Sequence, residues 1–250
     1  MQKFFDMLSI FKSKPELVNL IPNDFVDIHS HILPGIDDGA KNINDSNYLL
    51  NSMKNMGFKK VITTPHTMKN VWNNTSETIQ NSRKIIETEL AELHQTLNLQ
   101  AASEYFIDEH FVELFKTQPL LTLKDNYVLV EMSYLNPPIP LHEYLFELQL
   151  AGYQPILAHP ERYVYYHHNF NDYEKLKKMG CYFQVNLLST VGYYGKDVAI
   201  AADKLLQADM INFAGSDIHH KQHIDSFKRK TVIKSNKQLE KVIENNQFFK

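Results

Sequence analysis

Seven short runs rich in β-branched and aromatic residues recur along this chain, and their rhythm leaves few folds open. They lie at 25–29, 60–64, 100–105, 127–132, 154–158, 182–186 and 210–214. Between them, helical spacing of apolar residues predicts helices at 45–56, 76–96, 141–151, 173–179 and 198–207, with a last one at 236–245. Gly57, Gly152 and Gly180 stand where three of these helices need a C-cap. Strand and helix in alternation imply a parallel sheet. That sheet either closes as a barrel or lies open as a doubly wound layer. No glycine-rich loop follows the first run, which removes the main argument for a dinucleotide-binding sheet. A chain of 250 residues is also the size of one βα barrel.

The ends of these runs carry the chemistry. The first opens into Asp27-Ile28-His29-Ser30-His31, and residues two apart on a strand point to one face, so His29 and His31 can reach one metal. A lone His-x-His says little. Here the second run reaches His66, the third Glu104, the fourth Glu131 and the fifth His159, while the last ends in Asp217-Ile218-His219. In a parallel βα architecture those C-terminal ends face one rim, where active sites sit. A histidine or carboxylate directly after an apolar strand is costly unless paired or metal-bound. Strand after strand ending this way points to metal. His94, His142, His167, His168 and His110 lie in helical or loop sequence and read as surface or capping residues, with His220 and His223 left open.

Composition narrows the rest. The net charge of −3 excludes a nucleic-acid binder that works through bulk positive charge. The single cysteine, Cys181, excludes a disulfide framework and reads as a buried thiol, with no arginine-rich loop after it to make it a nucleophile. Residues 1–22 are expected to form an N-terminal amphipathic segment, packed on the domain or on another subunit, ahead of a domain spanning 23–250. One or two helical turns bury too little apolar surface for stable membrane insertion. With neither a secretory signal nor a membrane span, the expected location is cytoplasmic. An oligomer is left open.

These residues resemble the polymerase and histidinol phosphatase (PHP) superfamily, and within it the bacterial manganese-dependent tyrosine phosphatases of capsule and exopolysaccharide operons. The resemblance runs from 27 to 219. Its specific blocks are Asp27-Ile-His-Ser-His-Ile-Leu-Pro-Gly-Ile-Asp-Asp-Gly39 and Ala158-His-Pro-Glu-Arg-Tyr163, with Ala102-Ser-Glu-Tyr105, Gln184-Val-Asn-Leu-Leu-Ser189 and Gly215-Ser-Asp-Ile-His219 in support. It implies a distorted seven-stranded (β/α) TIM-like barrel holding three divalent ions. By carry-over, His29, His31, Glu104 and Asp217 hold one ion. Glu104 bridges to a second with Glu131 and His159, and Asp38, His66 and His219 hold the third. Mixed imidazole and carboxylate donors suit manganese, iron, cobalt or zinc, and the resemblance selects manganese.

Arg162 matches the phosphate-gripping arginine of the family, its planar fork suiting two phosphate oxygens. Relatives place a second arginine after the last histidine ligand. Here the stretch reads His219-His220-Lys221-Gln222-His223, so His223 or Lys221 stands in its place. The resemblance implies hydrolysis of phosphotyrosine by metal-activated hydroxide. The expected partner is a tyrosine-phosphorylated protein, the tail of a capsule-operon tyrosine kinase. Tyr105, Tyr134, Tyr163, Tyr193 and Tyr194 adjoin the strand ends and are candidates for an aromatic rim. A histidinol-phosphate phosphatase would share every ligand. A nuclease of the superfamily would need a basic track that is lacking, and an amidohydrolase would carry lysine where Glu104 stands.

Overall fold

The computed structural model describes residues 13–250, so positions 1–12 of the expected N-terminal segment lie outside the described residues. The strands are β1 (Phe25–Asp27), β2 (Phe58–Thr63), β3 (His66–Thr67), β4 (Gln100–Ala101), β5 (Glu104–Phe106), β6 (Tyr127–Glu131), β7 (Gln154–Ala158), β8 (Tyr182–Asn186) and β9 (Phe213–Gly215). All their pairings are parallel, in the orders β1-β2-β4 and β3-β5-β6-β7-β8-β9.

The two sheets are parts of one circuit. β3 continues β2 past Thr64-Pro65, and β5 continues β4 past Ala102-Ser103. Pro65 offers no N–H to a ladder. The joint is bridged instead by the Ala102 N–H donating to the Thr63 carbonyl (2.9 Å) and the Glu104 N–H to that of Pro65 (3.1 Å). The ring closes where the chain past β1 meets the chain past β9. There the Asp217 N–H donates to the His29 carbonyl (2.7 Å) and the His31 N–H to that of Ile218 (2.9 Å). The result is the distorted seven-stranded barrel that the family resemblance implied.

The helices are α1 (Ile43–Asn55), α2 (Ser76–Glu89), α3 (Ala91–Thr96), α4 (Glu109–Thr117), α5 (Leu141–Leu150), α6 (Phe170–Lys178), α7 (Lys196–Gln207), α8 (Lys221–Ser226) and α9 (Asn236–Asn245). Gly57, Gly152 and Gly180 do follow helix ends, at φ 100°, 91° and 82°. The single helix expected over 76–96 is divided at Leu90 (φ −129°, ψ 44°). Beyond the division, Leu93 and Leu97 stay buried against the core. Helix α4 was not legible as such. Its signal was Asp108, whose carboxylate caps the Phe111 N–H (2.8 Å), followed by the buried i,i+4 pair Phe111 and Phe115.

Alternation along each strand sorts side chains between two cores. One face of the strands carries Val61, Val128, Val130, Leu157 and Val185 into an outer layer shared with helix residues such as Leu49, Ile86, Leu145 and Leu205. The other fills the barrel with Val26, Ile62, Ala102, Leu129, Ile156 and Phe213. The C-terminal residues close the barrel at the N-terminal ends of its strands. Phe249 is fully buried beside Phe213 (ring centroids 4.8 Å apart), and Lys60 Nζ donates to its carbonyl (2.8 Å). Among the described residues no helix is long and apolar enough to cross a membrane.

Candidate metal centre and active site

The inward face of several strands changes character from one end to the other. On β6, Tyr127 and Leu129 belong to the barrel interior and the next residue on that face is Glu131. The same two-residue step leads from Ala102 to Glu104, from Ile62 through Thr64 to His66, and from Phe213 through Gly215 to Asp217. On β8 it leads from Tyr182 to Gln184 and Asn186. The C-terminal rim therefore collects polar side chains in a layer directly above an apolar interior.

All nine residues singled out as metal ligands meet there. Four sets have donor atoms within 4.8 Å of one another: His31, Asp38, His66 and His219; His29, His31 and Glu104; His29, His159 and Asp217; His66, Glu104 and Glu131. His29 Nε2 stands 3.3 Å from both Glu104 Oε2 and Asp217 Oδ1, and His31 Nε2 is 3.5 Å from the same two atoms. His66 Nδ1 lies 2.9 Å from Glu131 Oε1 and 3.1 Å from Glu104 Oε2, while its Nε2 is 3.5 Å from Asp38 Oδ1. His159 Nε2 is 3.1 Å from Glu104 Oε1, and His219 Nε2 is 3.4 Å from Asp38 Oδ1. Donors held about 2.1 Å from one tetrahedral or octahedral ion stand about 3.0–3.5 Å from each other. His29 Nε2, His31 Nε2, His66 Nδ1 and Glu104 Oε2 are also buried without a hydrogen-bond partner among the described residues. Buried polar atoms are rarely left so, and this donor set fits divalent ions.

A second layer aims the first, and the sequence reading passed over it. The far nitrogen of His29 donates to Gln184 Oε1 (2.8 Å) and that of His31 to Asp37 Oδ2 (2.8 Å). Asp37 also accepts from the N–H groups of Gly39 and His66, which separates its role from that of half-exposed Asp38. Asn186 Nδ2 donates to Asp217 Oδ2 (2.6 Å). Its own backbone N–H is held by Glu161 Oε1 (2.9 Å), whose carboxyl burial pushes up to about 7. The signal for Gln184 and Asn186 was two polar residues at i,i+2 in an otherwise apolar strand. Gly215 makes room for this layer, since a Cβ there would sit 2.5 Å from Gln184 Nε2 and 2.6 Å from His29 Cβ.

Charge and strain concentrate at the same rim. Burial alone would raise the Glu104 carboxyl, but the His29 and His66 imidazoles hold it well below the usual carboxylate range. Burial would likewise lower His66, yet Glu131 and Glu104 raise it well above its ordinary value. His159 (φ 36°) and Asp217 (φ 50°) both take the left-handed conformation, which costs a non-glycine residue about 1–3 kcal/mol and clusters at functional sites.

A cavity of about 490 Å³ opens over the cluster, lined by Asp38, His66, Glu104, Glu131, His159, Asp217 and His219, and also by Arg162 and His223. Arg162 leaves a 3₁₀ turn (Pro160–Arg162) directly after His159, and its Nη1 donates to Asp217 Oδ2 (2.9 Å). His223 is buried in α8, its Nδ1 3.1 Å from the His219 amide nitrogen and 3.0 Å from the Asp217 carbonyl oxygen. Burial pushes its pKa down to about 3. Of the five rim tyrosines, Tyr134 and Tyr194 line the cavity. Tyr105 and Tyr163 are core residues instead, their hydroxyls accepting from the Leu121 and Met132 N–H groups, and Tyr193 packs edge-on against His223.

A parallel βα barrel whose C-terminal rim gathers histidines and carboxylates at metal-ligand spacing, with an arginine beside them, defines a class of barrel proteins with a metal-type centre. The sequence matches the family described as "Capsular polysaccharide synthesis, CpsB/CapC" over residues 25–248, and the chain belongs to that family. It is 30% identical over 196 residues to the tyrosine-protein phosphatase YwqE of Bacillus subtilis, covering 78% of this chain and 77% of that one. It is 28% identical over 201 residues to the tyrosine-protein phosphatase CpsB of Streptococcus pneumoniae, covering 78% and 83%. Among solved structures, one from work on YwqE and CpsB as "unique metal-dependent tyrosine phosphatases" superposes with a TM-score of 0.77 at 27% identity, over 90% of this chain and 93% of that one.

Proposed function

We propose that this chain is a metal-dependent protein-tyrosine phosphatase, a phosphoric monoester hydrolase of the capsular polysaccharide synthesis family. The observation that carries this reading is the set of unpartnered buried nitrogens and oxygens converging beside Arg162 in one cavity. Family membership and the similarity to tyrosine-protein phosphatases support it. We assign three divalent ions, manganese by preference. His29, His31, Glu104 and Asp217 would hold the first, Glu104, Glu131 and His159 the second, and Asp38, His66 and His219 the third. The set of Asp38, His66 and His219 supports the third site and also brings in His31. The chemistry such ions supply here is acidification of water and neutralisation of phosphoryl charge.

The chain's own part is positioning. Gln184 and Asp37 fix the rings of His29 and His31, the usual way a second layer sets tautomer and aim. Asp217 divides its oxygens, turning Oδ1 to His29, His31 and His219 and Oδ2 to Arg162 and Asn186. Arg162 would grip the phosphoryl oxygens and steady charge on the in-line transition state. Among the described residues every carboxyl that lines the cavity belongs to the assigned ligand set, and a phenolate leaves more readily than an alkoxide, which favours aryl phosphates. The substrate would be a tyrosine-phosphorylated protein, the tail of a capsule-operon tyrosine kinase, met in the cytoplasm. Residues 23–250 would form the phosphatase domain, with 1–22 as its N-terminal segment.

The test is turnover of a phosphotyrosine peptide against histidinol phosphate, with metal content measured on the same sample. The reading expects the higher kcat/KM for the peptide. A higher value for histidinol phosphate would move the chain to the histidine-biosynthesis reading.

A further inference from the structure

Arg162 is the one arginine that lines the cavity among the described residues. A single phosphoryl contact must be held in place to be useful, because an arginine side chain has several freely rotating bonds and loses entropy whenever it is fixed. Two tyrosines from separate loops surround it. The Arg162 Cζ lies 4.1 Å from the ring centroid of Tyr194 and 4.7 Å from that of Tyr134. Tyr134 sits after β6, and Tyr194 follows the 3₁₀ turn Leu187–Val191 after β8.

The surroundings leave the guanidinium one free side. Its Nη1 is committed to Asp217 Oδ2, whereas Nε and Nη2 have no hydrogen-bond partner among the described residues and belong to a side chain that lines the cavity. The Tyr194 hydroxyl is anchored too, accepting from Asn186 Nδ2 (3.1 Å) and donating to Asp217 Oδ2 (3.4 Å). Tyr134 stacks towards the His159 ring (centroids 5.8 Å apart). Both rings are thus pinned to residues of the metal cluster, and both present a face to the same cation.

We infer that Tyr134 and Tyr194 are positioning residues that hold the Arg162 guanidinium by cation–π contact, with its unpaired edge turned to a phosphoryl group. This rests on the reading of Arg162 as the phosphoryl contact. It differs from an aromatic rim for the substrate ring, because the rings act through Arg162.

The probe is inorganic phosphate binding to metal-loaded, full-length protein by calorimetry, so that the outcome does not depend on phosphotyrosine preference. Tyr134→Leu and Tyr194→Leu should each weaken phosphate binding by about tenfold with metal content unchanged. Tyr134→Phe and Tyr194→Phe, which keep the ring, should stay within about threefold of wild type. In an Arg162→Ala background the leucine changes should add less than about twofold, since a device that works through Arg162 has nothing left to hold. Wild-type phosphate affinity in both leucine variants overturns the inference, as does a full tenfold loss in the Arg162→Ala background. Unchanged affinity in Arg162→Ala itself overturns the phosphoryl-contact reading together with it.

Discussion

The two ends of the barrel are built to opposite specifications. At the N-terminal ends of the strands the structure is closed and its polar groups are satisfied. Phe249 fills the opening beside Phe213, and Tyr127 and Tyr182 meet edge to face (5.6 Å). Nearby, Asn246 is fully buried yet accepts from the Ala214 N–H and donates to the carbonyls of Val26 and Ala214. At the C-terminal rim, five buried nitrogens and oxygens of the nine ligand residues have no partner among the described residues, and two of those nine, His159 and Asp217, are left-handed. One end stabilises the fold and the other spends part of that stability on a site.

That contrast breaks most visibly at the ligands. His29→Ala or Asp217→Ala should lower phosphotyrosine turnover by at least about 100-fold, since losses in the supporting layer alone cost roughly 10–100-fold. Phe249→Ala at the other end should do the reverse, losing about 3–5 kcal/mol of stability while the folded fraction keeps its kcat. Denaturant unfolding and steady-state kinetics on the same variants separate the two behaviours. A large loss of kcat in folded Phe249→Ala protein would mean that the two ends are not independent.

Arg162→Ala comes next, with a loss of about 2–3 kcal/mol, roughly 30–150-fold in kcat/KM, and unchanged metal content. Arg162→Lys should recover little, because a point charge cannot copy a planar fork. Gly215→Ala sharpens the comparison from within the strand, since the new methyl would push on His29 Cβ and Gln184 Nε2. About a tenfold fall in turnover is expected from that displacement, read against metal content. The smallest effect belongs to Cys181, the residue just before β8 near the closed end. Burial pushes its thiol up to about 12, so alkylating reagents and Cys181→Ala should leave turnover within about twofold.

How much of this was legible follows from where the information lies. The seven strand runs were visible because buried parallel strands are rich in apolar and β-branched residues, and the rim ligands were visible because histidine and carboxylate are out of place directly after them. The joint at Thr64-Pro65 was harder to see, because it depends on hydrogen bonds between segments far apart in sequence. The same holds for the second layer. Gln184, Asn186 and Asp37 matter through what they touch, and Gln184 reaches His29 across 155 residues. Tyr105 and Tyr163 were indistinguishable in sequence from Tyr134 and Tyr194, since proximity to a strand end does not say which way a side chain turns.

The central claim is that the rim works only with its metal. Exhaustive chelation, with metal loss verified on the protein, should abolish phosphotyrosine hydrolysis, and adding back manganese should restore it. Full turnover by protein shown to be free of metal would contradict the account.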